Sequence, residues 1–573
     1  MKDFKKEIVQ AIANLQAIKD SGLTEEEIHP LLEVPVDQKN GDYAFPCFRL
    51  AKTMKQSPQA IAACLAEDEN IVAPCVASVE AVNAYVNFFL KRELFIEEVI
   101  CAIRDNNEKY GSSDIGVGKK VVVEFSSPNI AKPFHIGHIR STVIGSAIEK
   151  IYNFLGYDTV RINHLGDYGT QFGKMIVAYR KWGNKEDVER EPIVTLLSYY
   201  TKFHEEAEKD PSLEDEARDT FTKLEQGSEE ELELWKWFRE ESLGEFNRVY
   251  KLLGIEFDSY AGESFYSDKM ERVTDELSEK GLLEKSDGAM IVDLDEYNLG
   301  KALITKKDGS TLYITRDIAA AIYRKETYDF YKNIYVVASQ QNLHFQQWFK
   351  IIELMGYDWA GDCVHVPFGL VSLPDGTMSS RKGRVVFLQD VLDNAISKTK
   401  EIMLEKLAAD DDIDDIARQV GIGAVIFNEL SNNRIKDYVF NWGSVLNFEG
   451  ETGAYVQYAC VRSSSLLRKA EVNDCNALKF SGEYLASDDA FEVTKLLYQF
   501  PETIKDAGEK YEPSILTRHI TDIAQAYNKF YFNEHILVDN ADERESKLAF
   551  VQACQQVLRN GLTLLGIETP ERM

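Results

Sequence analysis

The feature that most constrains this chain is the stretch 120–141, KVVVEFSSPNIAKPFHIGHIRS. It opens on an apolar, β-branched run at 121–123, which predicts a buried strand of a parallel sheet. After a loop of small and polar residues, apolar residues recur at helical spacing, which predicts a helix from near His135 to about Leu155. Such a unit points the helix N-terminus at the carboxyl edge of the sheet, where open α/β sheets bind ligands. Free backbone N–H groups there favour phosphate.

Two histidines, His135 and His138, share the first turn of this predicted helix. Gly137 leaves room for a flat ring against the backbone, and the imidazoles can donate hydrogen bonds to phosphate oxygens. The four-residue pattern alone is weak, because a capped core helix with two buried histidines would look the same. The longer run at 126–140, SSPNIAKPFHIGHIR, is far more specific. It resembles the HIGH signature of class I aminoacyl-tRNA synthetases, in the form found in the arginyl-tRNA synthetase family.

Composition sets the class of protein. A chain of 573 residues is too long for one hydrophobic core, so three or four domains are expected. No run of about eighteen apolar residues occurs, and the mixed-charge N-terminus lacks the features of a signal or transit peptide. The eight cysteines include no CxxC pair, which indicates reduced thiols and neither a disulfide framework nor a zinc site. A cytoplasmic protein is therefore expected.

The net charge of -30 argues against a nucleic-acid partner, because phosphate binding requires Lys and Arg. Net charge, however, describes long-range fields, whereas binding depends on local patches. The chain still has 65 basic residues. We therefore expect a tRNA-binding face where they cluster and an acidic far side.

A glycine-rich segment, GDYGTQFG at 166–173, follows a predicted strand at 159–164. Its glycines allow sharp turns at the strand end, and Asp167 and Gln171 could offer polar groups to the same crevice. A turn with capping residues is the alternative. The run again resembles the arginyl-tRNA synthetase family, which favours the functional interpretation.

A candidate substrate pocket lies further along the chain, in YITRD at 313–317. Tyr313 and Asp317 are four residues apart and can share one helical face. Asp317 could simply stabilise a helix N-terminus, but a guanidinium substrate needs a fixed carboxylate that binds its planar fork. In the family that this chain resembles, the Tyr and Asp of the pattern line the arginine pocket. Gln341 is expected at the mouth of the next strand–helix unit, and His344 resembles the His of the family's QxxHF pattern.

The segment 375–383, DGTMSSRKG, resembles the KMSKS loop of class I synthetases, which closes over the ATP phosphates. The match is partial, because Thr377 and Ser380 stand where the two lysines are usual. Phosphoryl chemistry is mostly electrostatic, so a positive charge must come from elsewhere. Lys132, three residues before His135, is the candidate, as in family members that lack the loop lysine. An ordinary basic turn is the alternative for this loop.

The predicted fold class is α/β, with a Rossmann-type catalytic domain that contains an insertion, an α/β N-terminal additional domain and an all-α C-terminal anticodon-binding domain. The predicted domains are 1–115, the additional domain that would contact the tRNA elbow; 116–370, the Rossmann catalytic domain with its insertion at about 175–300; 371–450, the KMSKS-like loop and a helical connecting region; and 451–573, the helical anticodon-binding domain. Composition alone would make the first of these a scaffold or dimerisation domain. The local patterns predict helices near 3–20, 44–55 and 58–67, and strands near 76–90 and 364–371.

The resemblance implies an arginine–tRNA ligase that activates L-arginine with ATP and transfers it to the terminal 2′-hydroxyl of tRNA(Arg). Its implied partners are ATP with Mg²⁺, L-arginine and tRNA(Arg), with no zinc, no metal bound by the protein and no membrane, and the chain is expected to be a monomer. The implied catalytic residues are Lys132, His135 and His138. The implied ATP-binding residues are Pro128, Phe134, His135, Gly137, His138, Met378, Ser379, Ser380, Arg381 and Lys382. The implied arginine-binding residues are Glu124, Ser126, Asn129, His135, Tyr313, Asp317 and Gln341, with Glu124 and Asp317 for the guanidinium. The implied tRNA-binding residues are Tyr458, Arg462 and Met573.

Two other functions stay open. One is an HxGH nucleotidylyltransferase that makes a small adenylated product, against which the helical C-terminal region argues. The other is a non-catalytic relative that binds tRNA as a regulator, which the altered 375–383 loop keeps open.

Overall fold

The computed structural model describes residues 2–35, 37–71, 73–306, 313–372, 386–404, 412–441, 443, 450–472, 474 and 477–573. The chain forms two compact units, and each is built from separated segments. The first contains 1–110, 462–500 and 522–558; the second contains 111–461, 501–521 and 559–573. The last four long helices therefore contribute to both units, and the domain limits derived from the sequence stay a prediction.

The N-terminal part of the first unit contains a three-stranded antiparallel sheet in the order Tyr43–Pro46, Tyr85–Leu90, Val76–Val82. Its helices are Phe4–Asn14, Gln16–Ser21, Glu25–Ile28, Ala51–Met54, Pro58–Ala66 and Arg92–Asn106. The predicted helix over 3–20 is broken at Leu15, whose extended backbone separates two helices. The predicted helix over 44–55 begins as a strand, because Ala44 and its neighbours pair with Tyr85–Leu90. Tertiary pairing overrides local preference here.

The second unit is organised around a four-stranded parallel sheet. Its order is Cys363–Phe368, Lys332–Ala338, Lys120–Glu124, Asp158–Ile162. The strand that the sequence predicts at 121–123 lies second from the edge, and its three valines are fully buried. The predicted strand over 364–371 ends at Phe368; Val371–Ser372 instead pairs with Tyr438–Val439 in a separate two-stranded sheet.

The helix Ile136–Phe154 follows the strand Lys120–Glu124, with His135 as its N-cap and Leu155 as its C-cap. These bounds confirm the sequence prediction. Gly145 allows the helix to approach the sheet closely, because a Cβ there would lie 2.2 Å from the Cβ of Phe125. The helix N-terminus is thereby held at the carboxyl edge of the strand.

The insertion is mainly helical and ends in a small antiparallel sheet in the order Glu284–Ser286, Ala289–Asp293, Lys301–Thr305. Its helices are Thr170–Trp182, Lys185–Arg190, Pro192–Lys209, Ser212–Glu225, Glu229–Leu252 and Met270–Glu279. The chain then returns to the parallel sheet through the helix Tyr313–Tyr328, and Asn342–Leu354 follows the next strand.

The remaining part of the chain is helical, as its sequence predicts. Its helices are Leu388–Leu404, Ile413–Ser431, Gly453–Lys469, Asp488–Glu509, Ser514–Asn533 and Ala541–Leu564. Within the described residues, no helix combines the length and apolarity that crossing a membrane requires.

Candidate active site

The loop between the strand Lys120–Glu124 and the helix Ile136–Phe154 has a strained backbone. Ser126, Ser127 and Ala131 have φ angles of 70°, 48° and 57°, in the left-handed region. Non-glycine residues pay on the order of 1 kcal/mol or more for this conformation and cluster at functional sites. The conformation of this loop is therefore imposed by the residues that pack around it.

The glycine-rich segment after the neighbouring strand imposes part of that shape. Gly166 donates its N–H to Pro128 O at 3.1 Å, and its carbonyl accepts from Ile130 N at 3.1 Å. A Cβ on Gly166 would lie 2.4 Å from Asn129 Oδ1, so only glycine permits this approach. The two βα loops are thus locked together, and Asn129 is fixed at their junction.

The histidine pair is held by the helix start. Gly137 N donates to His135 Nδ1 at 3.1 Å, and His135 N donates to His138 Nδ1 at 3.1 Å. His138 Nδ1 also lies 3.3 Å from His135 O, but the shorter contact makes it an acceptor. A neutral imidazole whose Nδ1 accepts must carry its proton on Nε2. Both rings, 3.9 Å apart at their centroids, therefore offer an Nε2–H donor.

Both histidines are neutral near pH 7. Burial lowers the pKa of His135 to about 4. Burial, followed by the charges of His135 and Lys132, lowers the pKa of His138 well below its usual value. The imidazoles can thus donate hydrogen bonds to a phosphate but carry no charge to neutralise it. Lys132 is a candidate for that charge, because its ammonium contributes to the lowered pKa of His138.

Glu124, expected at the guanidinium, is engaged inside the fold. Its Oε2 lies 2.6 Å from Arg324 Nη2, and the two side chains are 10% and 0% exposed. Arg324 also contacts His164 Nδ1 at 3.3 Å and lies over the Tyr335 ring at 5.4 Å. The negative charge of Glu124 is therefore matched by a residue of this chain.

Replacing Arg324 by Met is expected to lower the free energy of unfolding by about 3–5 kcal/mol, because it leaves the buried Glu124 carboxylate unpaired. The double variant Arg324→Met/Glu124→Gln should recover at least half of that loss. Chemical denaturation measures both. The matched control is Arg272→Met, which breaks the exposed Arg272–Glu326 pair and should cost less than about 1 kcal/mol. Equal losses in the two single variants would contradict the buried-pair account.

Asp317 lies on the first turns of the helix Tyr313–Tyr328, where its Oδ2 accepts from His344 Nε2 at 2.6 Å. The side chain is 31% exposed, so one face of the carboxylate is open. Tyr313 lies one turn earlier and is 61% exposed. Gln341 is exposed in a short 3-10 helix directly after the strand Lys332–Ala338. These three side chains are therefore accessible to a substrate.

The structure adds a residue that the sequence analysis missed, Glu263. Its Oε2 pairs with Arg316 Nη1 at 3.1 Å, and its side chain is 16% exposed. The pKa of Glu263 is raised to about 7, mainly by burial; Arg316 and Lys132 oppose this rise, and the charge of Asp317 adds to it. A second carboxylate therefore lies beside Asp317. Glu263 belongs to the acidic insertion, where a lone Glu looks like a solvated surface residue, so nothing in its local pattern marked it.

Ser126 and Asp167, both expected to face a ligand, instead support the site. Ser126 Oγ is hydrogen-bonded to Thr142 Oγ1 and to Tyr250 OH, each at 2.8 Å.

Asp167 is fully buried and accepts a hydrogen bond from Arg239 Nε at 3.0 Å. It also accepts two hydrogen bonds of 2.9 Å from Ser264, one from the backbone N–H and one from the hydroxyl. Its carboxylate thereby anchors the insertion to the parallel sheet.

The residues expected to contact ATP divide into two groups. Pro128 is buried, and Phe134 is 5% exposed and packs against His138 with ring centroids 5.3 Å apart. Gly137 lies in the first turn of the helix Ile136–Phe154. Five residues lie outside the described residues: Met378, Ser379, Ser380, Arg381 and Lys382.

The three residues expected to contact tRNA differ in exposure. Tyr458 is 42% exposed on the helix Gly453–Lys469. Arg462 donates to Asn528 Oδ1 at 3.1 Å and lies 4.8 Å from the Tyr531 ring centroid. Met573 packs against a buried apolar cluster. The sequence pattern did not single out Phe532, which is 88% exposed.

Known sequence families match nearly all of the chain. The family described as "tRNA synthetases class I (R), catalytic domain" matches residues 99–442. The families "Arginyl tRNA synthetase N terminal domain" and "DALR anticodon binding domain" match residues 2–90 and 456–573.

Named relatives agree with these matches over full length. The "Arginine--tRNA ligase" of Clostridioides difficile is 59% identical over 575 residues, and that of Halothermothrix orenii is 58% identical over 576, with 100% of each chain covered. The solved arginyl-tRNA synthetase of Thermus thermophilus is 25% identical with a TM-score of 0.81, and that of Plasmodium falciparum is 24% identical with 0.80, again over 100% of each chain. The latter shows the fold alone. The chain therefore belongs to the arginyl-tRNA synthetase family of class I aminoacyl-tRNA synthetases.

Proposed function

We propose that this chain is an arginine–tRNA ligase: it activates L-arginine with ATP to arginyl-adenylate and transfers the arginyl group to the terminal 2′-hydroxyl of tRNA(Arg). The observation that carries the proposal is a pair of neutral imidazoles whose Nε2–H groups are left as donors, together with the nearby charges of Lys132, Glu263 and Asp317. One part of this arrangement suits a triphosphate, and the other suits a cationic amino acid.

Asp317 and Glu263 bind the arginine guanidinium. His344 holds one oxygen of Asp317 and leaves the other to accept a hydrogen bond from the guanidinium. Glu263 adds a second negative charge when it is ionised, and the effect of Asp317 on its pKa supports placing the two carboxylates near each other. This assignment revises the expected role of Glu124, whose charge Arg324 already neutralises.

The remaining expected arginine-binding residues orient the substrate. Tyr313 and Gln341 are exposed, and Asn129 is fixed at the junction of two loops, so all three can contact the backbone or side chain of arginine. Ser126 acts through its bonds to Thr142 and Tyr250, which keep the loop in its left-handed conformation. Positioning of this kind converts binding energy into rate.

The phosphates of ATP bind at the helix start. His135 and His138 donate from Nε2, the helix N-terminus adds its partial positive charge, and Lys132 provides a full charge. Gly137 and Pro128 leave room for the flat nucleotide base to approach the backbone. Magnesium arrives with ATP as part of the substrate; the described residues contain no group of three His, Cys, Asp or Glu side chains that could hold a metal.

The chemistry needs no covalent nucleophile. The arginine carboxylate attacks the α-phosphate, pyrophosphate leaves, and the terminal ribose 2′-hydroxyl of tRNA then displaces AMP from the adenylate. The fixed Nε2–H donors and Lys132 stabilise the negative charge that develops on the phosphate. The 375–383 loop would assist through Met378, Ser379, Ser380, Arg381 and Lys382.

The tRNA contacts are proposed for the helical C-terminal part. Tyr458 offers an exposed ring for stacking on a base. Arg462 and Met573 have partners within the chain and are proposed as further tRNA contacts. The chain is expected to act as a monomer in the cytoplasm, and sedimentation at assay concentration tests the monomer.

Aminoacylation of total tRNA with labelled arginine tests the proposed function, and each of the twenty amino acids serves as a comparison. Charging with arginine alone is expected. Pyrophosphate exchange without tRNA charging would indicate a nucleotidylyltransferase. Binding of tRNA without either reaction would indicate a non-catalytic relative.

The affinity for arginine is expected to fall as the pH is lowered below about 7, because the pKa of Glu263 is about 7 and the cationic substrate needs its ionised form. The dissociation constant should rise by up to about tenfold per pH unit below that value. Glu263→Gln should bind arginine more weakly at pH 8 and lose this slope. Calorimetry between pH 6 and 8.5 measures both.

The matched control for this pH dependence is Glu271→Gln, which alters an exposed carboxylate of the same insertion and should keep the wild-type slope. An unchanged slope in Glu263→Gln would show that another group titrates.

A further inference from the structure

A cavity of about 570 Å³ is lined in part by Tyr250, a residue that supports the active-site loop. It is lined by the second half of the helix Ile136–Phe154, by the strand Asp158–Ile162 and by the end of the helix Glu229–Leu252 with the turn that follows. Its volume is typical of sites that bind small organic ligands. The proposed ligase activity makes no use of it.

The interior of the cavity contains a cation, Lys150, whose charge is not compensated by a direct ion pair, although Glu149 lines the same cavity. Lys150 Nζ donates to Ser146 Oγ at 2.6 Å, and no carboxylate of the described residues forms an ion pair with it. The nearest acid, Glu149, accepts from Thr159 Oγ1 at 2.6 Å. Burial lowers the pKa of Lys150, and the charge of Glu149 opposes this shift only in part. A buried ammonium is costly unless an anion balances it.

The other cation of the interior is already satisfied. Arg161 binds Asp258 through two side-chain hydrogen bonds of 3.0 and 2.8 Å. Lys251 and Glu256 are exposed at the rim of the cavity, and the charge of Glu256 acts on Arg161. Lys150 is therefore the group that an incoming anion would meet.

One wall of the cavity is aromatic. The Phe257 ring packs against Phe125 at 4.7 Å, Tyr250 at 5.0 Å and Tyr260 at 5.7 Å between centroids. Such a wall offers faces and edges to a flat ring. The cavity thus combines one cation that has no direct ion pair with a surface for stacking.

We propose that this cavity is a second ligand site, which takes a small organic anion that carries a flat ring. The anionic group, a carboxylate or a phosphate, contacts Lys150, and the ring lies on the wall formed around Phe257. The ligand leaves the arginine and ATP positions free.

The site is physically connected to the activation site through Tyr250. Its ring lines the cavity, and its hydroxyl is hydrogen-bonded to Ser126 Oγ at 2.8 Å and accepts from Asn163 Nδ2 at 3.0 Å. Ser126 is one of the strained residues of the loop that leads to His135. A ligand that moves Tyr250 therefore shifts this loop, and by linkage arginine changes the affinity for the ligand by the same factor.

Binding is tested by calorimetry on the full chain with 1-naphthyl phosphate and 2-naphthoate as probes. Saturating arginine and a non-hydrolysable ATP analogue occupy the activation site throughout. Lys150→Met is expected to weaken binding of the tighter probe by about tenfold or more, because it removes the cation inside the cavity that has no direct ion pair. The matched control, Lys251→Met at the rim, should weaken it by less than about threefold. The tighter probe identifies phosphate or carboxylate as the preferred group.

Absence of probe binding up to millimolar concentration would overturn the proposal, as would equal losses in the two lysine variants. Mutually exclusive binding of the probe and arginine with the ATP analogue would also overturn it, because linkage changes the affinity by a finite factor and does not abolish binding. Lys150→Met should unfold at the same temperature as wild type or higher, because an apolar side chain replaces a buried charge, so loss of fold cannot mimic loss of the site. The link is tested with Tyr250→Phe. This variant should still bind the probe, but probe binding should no longer change the affinity of the variant for arginine. The binding test stands apart from the proposed ligase activity, so the two can fail separately.

Discussion

Replacing Asp317 by Asn is expected to lower kcat/KM for arginine by about a thousandfold or more, equivalent to roughly 4 kcal/mol. The amide keeps one acceptor oxygen but loses the negative charge, and its NH₂ group faces the guanidinium donors. Glu263 alone cannot compensate, because burial keeps its pKa near 7 and the lost carboxylate was its partner in binding the substrate. Steady-state pyrophosphate exchange with tRNA present measures the effect.

Discrimination against citrulline supplies a second measurement on the same variant. The neutral urea of citrulline would leave two carboxylates unpaired, so wild type should reject it by about four orders of magnitude. Asp317→Asn should lose most of that preference. The matched control is Asp329→Asn, since Asp329 follows the same helix, is 92% exposed and tolerates Asn at its left-handed φ. It should change neither value by more than about twofold. Wild-type discrimination in Asp317→Asn would refute the pocket.

Lys132→Ala is expected to slow adenylate formation by about a hundred- to a thousandfold, the usual consequence of removing a fixed group that stabilises transition-state charge. Both histidines are neutral near pH 7, so they cannot replace the lost ammonium. The effect should appear in kcat far more than in KM for arginine, because Lys132 acts on the phosphates. Single-turnover release of pyrophosphate measures the chemical step directly.

Lys382→Ala is the matched comparison for Lys132→Ala, because both remove one lysine that could reach the triphosphate. It should slow the same step by less than about tenfold. The reverse ranking would return the charge role to the 375–383 loop. A rate close to wild type in both variants would show that neither lysine carries the charge.

Local patterns predicted the part of the active site that lies within one stretch of chain. The valines of 121–123 specify a buried strand, and the spacing of apolar residues specifies the helix, so the position of His135 at its N-cap follows from short-range rules. The bounds of Ile136–Phe154 were confirmed for this reason. Local patterns failed at 44–46, where pairing with a distant strand decided the conformation.

The second carboxylate shows what local patterns cannot supply. Glu124 precedes the signature loop and looks like a substrate ligand, but Arg324, distant in sequence, occupies it. Glu263 has no distinguishing sequence context, yet the fold brings it to Asp317 and Arg316. Which of the two glutamates lies near Asp317 depends on how distant elements pack together.

The sequence by itself determined the fold class, the strand–loop–helix unit and the residue types at its start, because hydrophobic spacing and capping act over a few neighbouring residues. Only the tertiary structure decided the tautomers of the two histidines, the raised pKa of Glu263, the internal pairing of Glu124 and the cavity around Lys150. Those properties arise from burial and from charges that long-range packing brings close together. Neither the burial nor the charge environment of a residue can be predicted from its neighbours in the sequence.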